Sequence, residues 1–202
     1  MTIAAVTDKS VNLILSFEGL GQPCDWPGGE SGITIGYGSD LGQCTQAEFQ
    51  QQWGETLAPN DFTSLCKAIG VKGAQAQAIA SEFKAIKIAE ANAKLVFERN
   101  VLPVYQQRTA TGFPGVEKLP PDAQGALVSL VFNRGISLTG SSRTEMKAIH
   151  DLLALDPQPH DVLAQIAAQV RAMKRLWPTV PGLCRRREAE AVMIENAQPA
   201  AT

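Results

Sequence analysis

The chain has 202 residues, 45% of them hydrophobic, enough for one sizeable core or for two small lobes sharing a long helix. Charged residues make up 19% and the formal net charge is −2, so nothing global draws the chain to nucleic acid or to an anionic surface. No run of about 18 apolar residues occurs, and no membrane span is expected. Met1–Asp8 has neither the basic start nor the apolar stretch of a secretory leader. Reaching a target outside the cytoplasm is therefore expected to depend on lysis, a secretion machine or a carrier.

In chain order, apolar Val11, Leu13, Ile14 and Phe17 predict a first helix over Val6–Phe17, with Thr7 and Asp8 as N-caps and Gly19 and Gly21 as its stop. Gly19–Gly42 holds eight glycines and two prolines around alternating Ile33, Ile35 and Tyr37, which predicts a loop and a short twisted hairpin. Helices are then expected over Thr45–Trp53, Asn60–Ile69, Ala74–Phe83 and Ala89–Gln107, the last kinked or broken at Pro103. Thr109–Pro121 reads as a connector. Asp122 reads as the cap of an apolar helix, Gly125–Phe132, that ends at Gly135. Thr144–Leu155, His160–Trp177 and Leu183–Asn196 complete the helices, and Asn196–Thr202 reads as a frayed tail. The expected class is α+β and mostly helical: a single domain over 1–202, with a glycine-rich hairpin lobe at about 19–44, a larger helical lobe at about 45–196 and a tail at 197–202.

Cys24, Cys44, Cys66 and Cys184 form no CxxC pair, which argues against a zinc or thioredoxin-type site. They read as ordinary buried thiols. After export, Cys24 with Cys44 is the first disulfide to consider, because the two flank one short β-rich stretch. His150 and His160 lie far apart with no partner pattern, and no HExxH, P-loop or GxSxG motif is present. No metal and no cofactor is expected.

The chemistry concentrates in Glu18-Gly19 and in Trp26–Gly42. Glu18 stands at the last turn of the predicted helix, where the negative end of the macrodipole opposes a further negative charge. A carboxyl that keeps its proton is what a glycosidic leaving oxygen requires. The plain alternative is a solvated glutamate at a helix end. Glycoside cleavage also calls for a second carboxylate, to activate water or to act as nucleophile. Asp25, Glu30 and Asp40 are available, each with an ordinary turn or loop role as its alternative. Thr34 offers a hydroxyl that can orient a water. Tyr37 fits the core or a sugar-stacking face.

Phe17-Glu18-Gly19 followed by Gly32-Ile33-Thr34-Ile35-Gly36-Tyr37-Gly38 resembles the active-site signature of the phage-type lysozymes, glycoside hydrolase family 24. Ala126–Gly135, with Phe132-Asn133-Arg134-Gly135 at its end, resembles that family's helix ending in Phe-Asn-x-Gly. Gly182–Glu190 resembles its C-terminal Gly-Leu-x-x-Arg-Arg-x-x-Glu block. The three blocks lie in the family's order. The sequence also departs from the family. Gly28 stands where the phage enzymes carry an Asp before the Thr, and Ser39 stands where their hairpin ends in His. In the pesticin-type toxins, which share the lysozyme-like fold, the second acid follows the Thr, and Asp40 occupies that place here.

The resemblance implies a lysozyme-like fold and an N-acetylmuramidase acting on bacterial peptidoglycan. Glu18 would be the acid, Asp40 or Glu30 the second carboxylate, Thr34 the residue that positions water, and inversion the stereochemical outcome. Trp26, Tyr37, Ser39, Asn133 and Arg134 are the candidate substrate contacts. The arginines of 182–190 are expected to fasten the last helix against the catalytic lobe; with Arg171, Lys174 and Arg175, binding of anionic wall polymer is the alternative. Two rival readings remain: a lytic transglycosylase, which needs one Glu and no second acid, and an inactive glycan-binding module. An antibacterial effector, a bacteriocin killing domain and a phage endolysin all fit a monomer of this size that works on the wall or in the periplasm. The toxin settings predict an immunity protein that plugs the cleft.

Overall fold

Apolar residues at helical spacing bury one side of the first helix, α1 (Asp8–Phe17), through Val11, Ile14 and Leu15. Its N-terminus is capped as the sequence predicts: the Ser10 N–H donates to Thr7 Oγ1 at 3.2 Å. In this computed structural model the described residues are 6–199. The first five residues of the leader reading and the last three of the tail reading lie outside them. The chain forms two compact units, residues 18–102 and residues 6–17 with 103–199. No helix among the described residues is long and apolar enough to cross a membrane.

In the unit 18–102, strands β1 (Thr34–Ile35) and β2 (Ser39–Asp40) pair antiparallel, with Thr34 opposite Asp40 and Ile35 opposite Ser39. The turn residue Gly36 has φ +58, and a Cβ there would lie 2.7 Å from the Trp53 ring, so the position requires glycine on both counts. Helix α2 (Gln46–Trp53) starts from a complete capping box between Thr45 and Glu48 and buries Phe49 and Trp53. Helices α3 (Pro59–Leu65), α4 (Gly73–Ile79) and α5 (Glu90–Val96) follow, the first two tightening into single 3₁₀ turns at 66–68 and 80–83. Ile33, Ile35, Leu41, Phe49, Trp53, Leu65 and Phe83 are all essentially inaccessible to solvent. The helices thus pack on the hairpin itself. A hairpin lobe ending near residue 44 is therefore not what forms; α2 to α5 belong with it.

The helical run 90–112 is not broken at Pro103 but is distorted directly before it. Phe97–Val101 is a π turn, in which the Leu102 N–H donates to the Phe97 carbonyl, and α6 (Leu102–Gly112) starts with Pro103 in its first turn. The wider π turn relieves the clash of the proline ring with the preceding turn and absorbs the bond that the proline cannot donate, so the helix is distorted there and not broken. Accordingly, helix continues through 109–112, where a connector is expected.

In the unit 6–17 with 103–199, α7 (Pro121–Arg134) is buried continuously from Ala123 to Val131 and is the central helix, with α1 and α10 (Pro181–Glu195) packed against it. A Cβ on Gly125 would fall 2.1 Å from Ser10 Oγ, so glycine permits the close approach of α1. Helices α8 (Thr144–Leu153) and α9 (Val162–Ala172) close the core around Met146, Ile149, Ile166 and Val170. Asp122 is not the cap of α7. Pro121 opens the helix, and Asp122 instead accepts from Thr7 Oγ1 at 2.5 Å and from Lys9 Nζ at 3.0 Å.

The Thr7 hydroxyl, then Lys9, hold the Asp122 carboxyl below the usual carboxylate range. Because the folded value lies below the unfolded one of about 3.9, the stabilisation is fully present above about pH 4. It is lost as pH falls through the lowered folded value. Asp122→Asn is expected to lower Tm at pH 7, and the two proteins' Tm values should converge near pH 2 in a thermal titration followed by circular dichroism. A constant difference across that range would contradict the link.

Candidate active site

Glu18 is the first residue after α1 and is half-buried. Three residues on, Gly21 exchanges both backbone hydrogen bonds with Gly36, at 2.8 and 3.0 Å. The segment that follows Glu18 is therefore pinned to the turn of the hairpin. On that hairpin, the Leu41 N–H donates to the Ile33 carbonyl at 2.9 Å, which makes Thr34 and Asp40 a non-hydrogen-bonded pair. In such a pair the side chains share one face at the closer of the two cross-strand spacings, with Cα atoms about 4.5 Å apart.

Asp40 is fixed by its own backbone surroundings. Its Oδ1 accepts the Gly32 N–H at 3.0 Å and the Gly42 N–H at 2.8 Å. Both bonds fall on one oxygen, leaving Oδ2 as the atom that can act on a water. The Thr34 hydroxyl donates to the Gly32 carbonyl at 3.5 Å, a long bond that leaves it free to turn to another acceptor. Glu30 is exposed in the preceding turn. A Cβ on Gly73, at the start of α4, would lie 3.5 Å from its Oε2, so the carboxylate lies over that helix start. Asp25 is exposed and accepts from the Cys24 thiol at 3.4 Å.

A cavity of about 360 Å³ lies on the β2 side of the hairpin, lined by Ser39, Asp40, Gln43, Cys44, Glu48 and Gln52 among others. Ser39 Oγ accepts from Trp53 Nε1 at 3.3 Å. Burial, then the Glu48 carboxylate, push the Cys44 thiol up, so it stays protonated near neutral pH and is no ready nucleophile. Cys44, Glu48 and Gln52 are absent from the sequence-based candidates; Thr45-x-x-Glu48 announces a helix start but nothing about a cavity behind it.

Trp26 lines a different cavity, of about 500 Å³, with Asp25, Gln77, Ser81 and Lys84, and its indole N–H donates to the Ser31 carbonyl at 2.9 Å. Tyr37 has no face to offer a sugar. It is 6% exposed, sits edge-on to Phe97 and donates to Glu90 Oε1 at 3.4 Å, so it is a core residue. Asn133, exposed, and Arg134, half-buried, stand at the end of α7 in the other unit. Cys24 and Cys44 line separate cavities as free thiols, and the disulfide considered between them is not formed. Among the described residues, no group of three or more His, Cys, Asp or Glu side chains is placed to hold a metal ion.

The hairpin unit thus carries Glu18, three residues before a backbone bridge to the hairpin turn, and a cross-strand hydroxyl–carboxylate pair. No protein-family model matches the chain, and no curated protein matches it.

Proposed function

We propose that the chain is a peptidoglycan hydrolase, an N-acetylmuramidase that cuts the β-1,4 bond between N-acetylmuramic acid and N-acetylglucosamine, and a divergent member of the lysozyme-like superfamily. The observation that carries this reading is Thr34 opposed to Asp40 on a hairpin whose turn is pinned to the segment after Glu18. In this mechanism Glu18 protonates the leaving oxygen, Thr34 orients a water, and Asp40 takes a proton from that water through Oδ2. The family resemblance implies inversion, for which the two carboxyl groups must stand about 6.5–9.5 Å apart. A muramidase of this kind fits an antibacterial effector or a phage endolysin; as an effector it would be held in check by an immunity protein.

Zymography on purified peptidoglycan, with turbidity clearance for rates, tests the assignment. Asp40→Asn keeps an acceptor for the Gly32 and Gly42 N–H groups, so the hairpin should hold while clearance falls roughly 10²-fold or more. Glu30→Gln should clear at close to the wild-type rate. The opposite ranking would transfer the second acid to Glu30.

One observation favours a second reading. Because Asp40 Oδ1 is committed to two backbone N–H groups, the carboxylate has a purely structural use, and a one-acid lytic transglycosylase then needs only Glu18. Under that reading Asp40→Asn retains activity, and the products end in anhydro-muramic acid.

A further inference from the structure

Arginines gather at one place in the unit 6–17 with 103–199, where Arg134 and Arg175 bond the carbonyls of Ser142 and Ser141, next to Arg143. Arg134 ends α7, Arg143 precedes α8, Arg175 follows α9, and Arg186 and Arg187 lie on α10. The guanidiniums of Arg134 and Arg187 stand 4.6 and 5.9 Å from the Trp177 ring centroid. Carboxylates answer Arg175, Arg186 and Arg187. Glu145 pairs with Arg175 through two bonds, at 2.5 and 3.1 Å. Glu190 pairs with Arg186 and Arg187. Arg134 and Arg143 make no ion pair among the described residues.

The N–H groups are also left over. Arg134 donates to the Ser142 carbonyl at 2.6 Å, but its Nε is buried with no acceptor among the described residues. Arg143 Nη1 and Arg187 Nη1 are in the same condition, and Arg187 is 0% exposed. A buried donor without an acceptor is destabilising, the more so when it is charged. Burial, then the neighbouring Arg143 and Arg187, push Arg134 down to about 10. Like charges held together, with N–H groups unpaired, are arranged for an anion that is brought from outside.

We infer that Arg134, over the Trp177 ring, and Arg143, backed by the Arg187 charge, form an oxyanion site, and that its ligand is a carboxylate of the peptide stem carried by the wall glycan. The oxyanion chemistry follows from the guanidinium forks, which match carboxylate and phosphate alike. The choice of a stem carboxylate rests on the muramidase reading. With a net charge of −2, the chain has no general attraction for an acidic polymer, so a local cluster of this kind would have to provide it.

Calorimetry in a Glu18→Gln background, where no turnover interferes, separates the possibilities. The probes are a disaccharide carrying its tetrapeptide, the same disaccharide without peptide, and inorganic phosphate. Loss of a charge-assisted bond in R143Q should weaken the peptide-bearing probe about tenfold and leave the bare disaccharide unchanged. Phosphate should compete with the former alone. Equal affinity of R143Q and its parent for the peptide-bearing probe overturns the inference. Phosphate binding that depends on Arg143, with no muropeptide binding at all, supports the oxyanion site and counts against the stem peptide and the muramidase reading together. Clearance by the wild type with no effect of R143Q on any probe removes the site and leaves the muramidase reading standing.

Discussion

Glu18→Gln is expected to reduce peptidoglycan clearance by about 10²–10⁴-fold, the range that a positioned general acid contributes. Glutamine keeps the shape and one acceptor oxygen of the side chain but has no proton to give a leaving oxygen. A Tm measured on the same sample separates lost chemistry from lost fold, and binding of intact wall should survive the substitution. The expectation rests on position: Glu18 leaves α1 half-buried, and Gly21, three residues later, is locked to Gly36 on the hairpin. A variant that retained a tenth or more of the wild-type rate would remove Glu18 from the acid role.

The second large effect is on stability. Glu190 is fully buried on α10 and accepts from Ser129 Oγ at 2.6 Å, Arg187 Nη2 at 2.9 Å and Arg186 Nε at 3.3 Å. Burial pushes its carboxyl up, against the opposing pull of Arg187, Ser129 and Arg186. Burial likewise pushes the Arg187 guanidinium down. Each charge is thus tolerable only because the other is there. Deleting one partner of such a group leaves the remainder buried and uncompensated, at about 3–5 kcal/mol. Glu190→Ala should therefore lower Tm by roughly 10 °C in a chain of this size. Glu190→Gln distinguishes charge from packing, because the amide still accepts from Ser129 yet neutralises neither arginine. A loss close to that of the alanine variant is expected; a nearly wild-type Tm would show that packing, not charge, dominates.

Local signals were readable before any coordinates, and long-range ones were not. Thr7 caps α1 and Thr45 caps α2 because a hydroxyl oxygen just before a helical run can accept an N–H that the first turn leaves without a partner. The hairpin follows from alternating Ile33 and Ile35 between glycines, and the Thr34–Asp40 pairing is a short-range consequence of its three-residue turn. The Arg186–Glu190 pair is an i,i+4 contact and could be anticipated, whereas Ser129, 61 residues away, could not. Tyr37 shows the limit of residue type. An aromatic ring in a glycine-rich loop suits a sugar or a core equally well, and Glu90 and Phe97 decide for the core. Pro103 signals a disturbance but not its form, which is a π turn directly before it in a helix that runs on to residue 112. The two-unit division was hidden for a similar reason: nothing in the periodicity of α2 to α5 says that they cover the hairpin.

Mass spectrometry of the soluble fragments released from purified peptidoglycan bears most directly on the central claim. The two-carboxylate mechanism predicts disaccharide peptides ending in reducing N-acetylmuramic acid, released by the wild type and absent with Glu18→Gln. Fragments ending in anhydro-muramic acid, or no soluble fragments from the wild type at all, would contradict it.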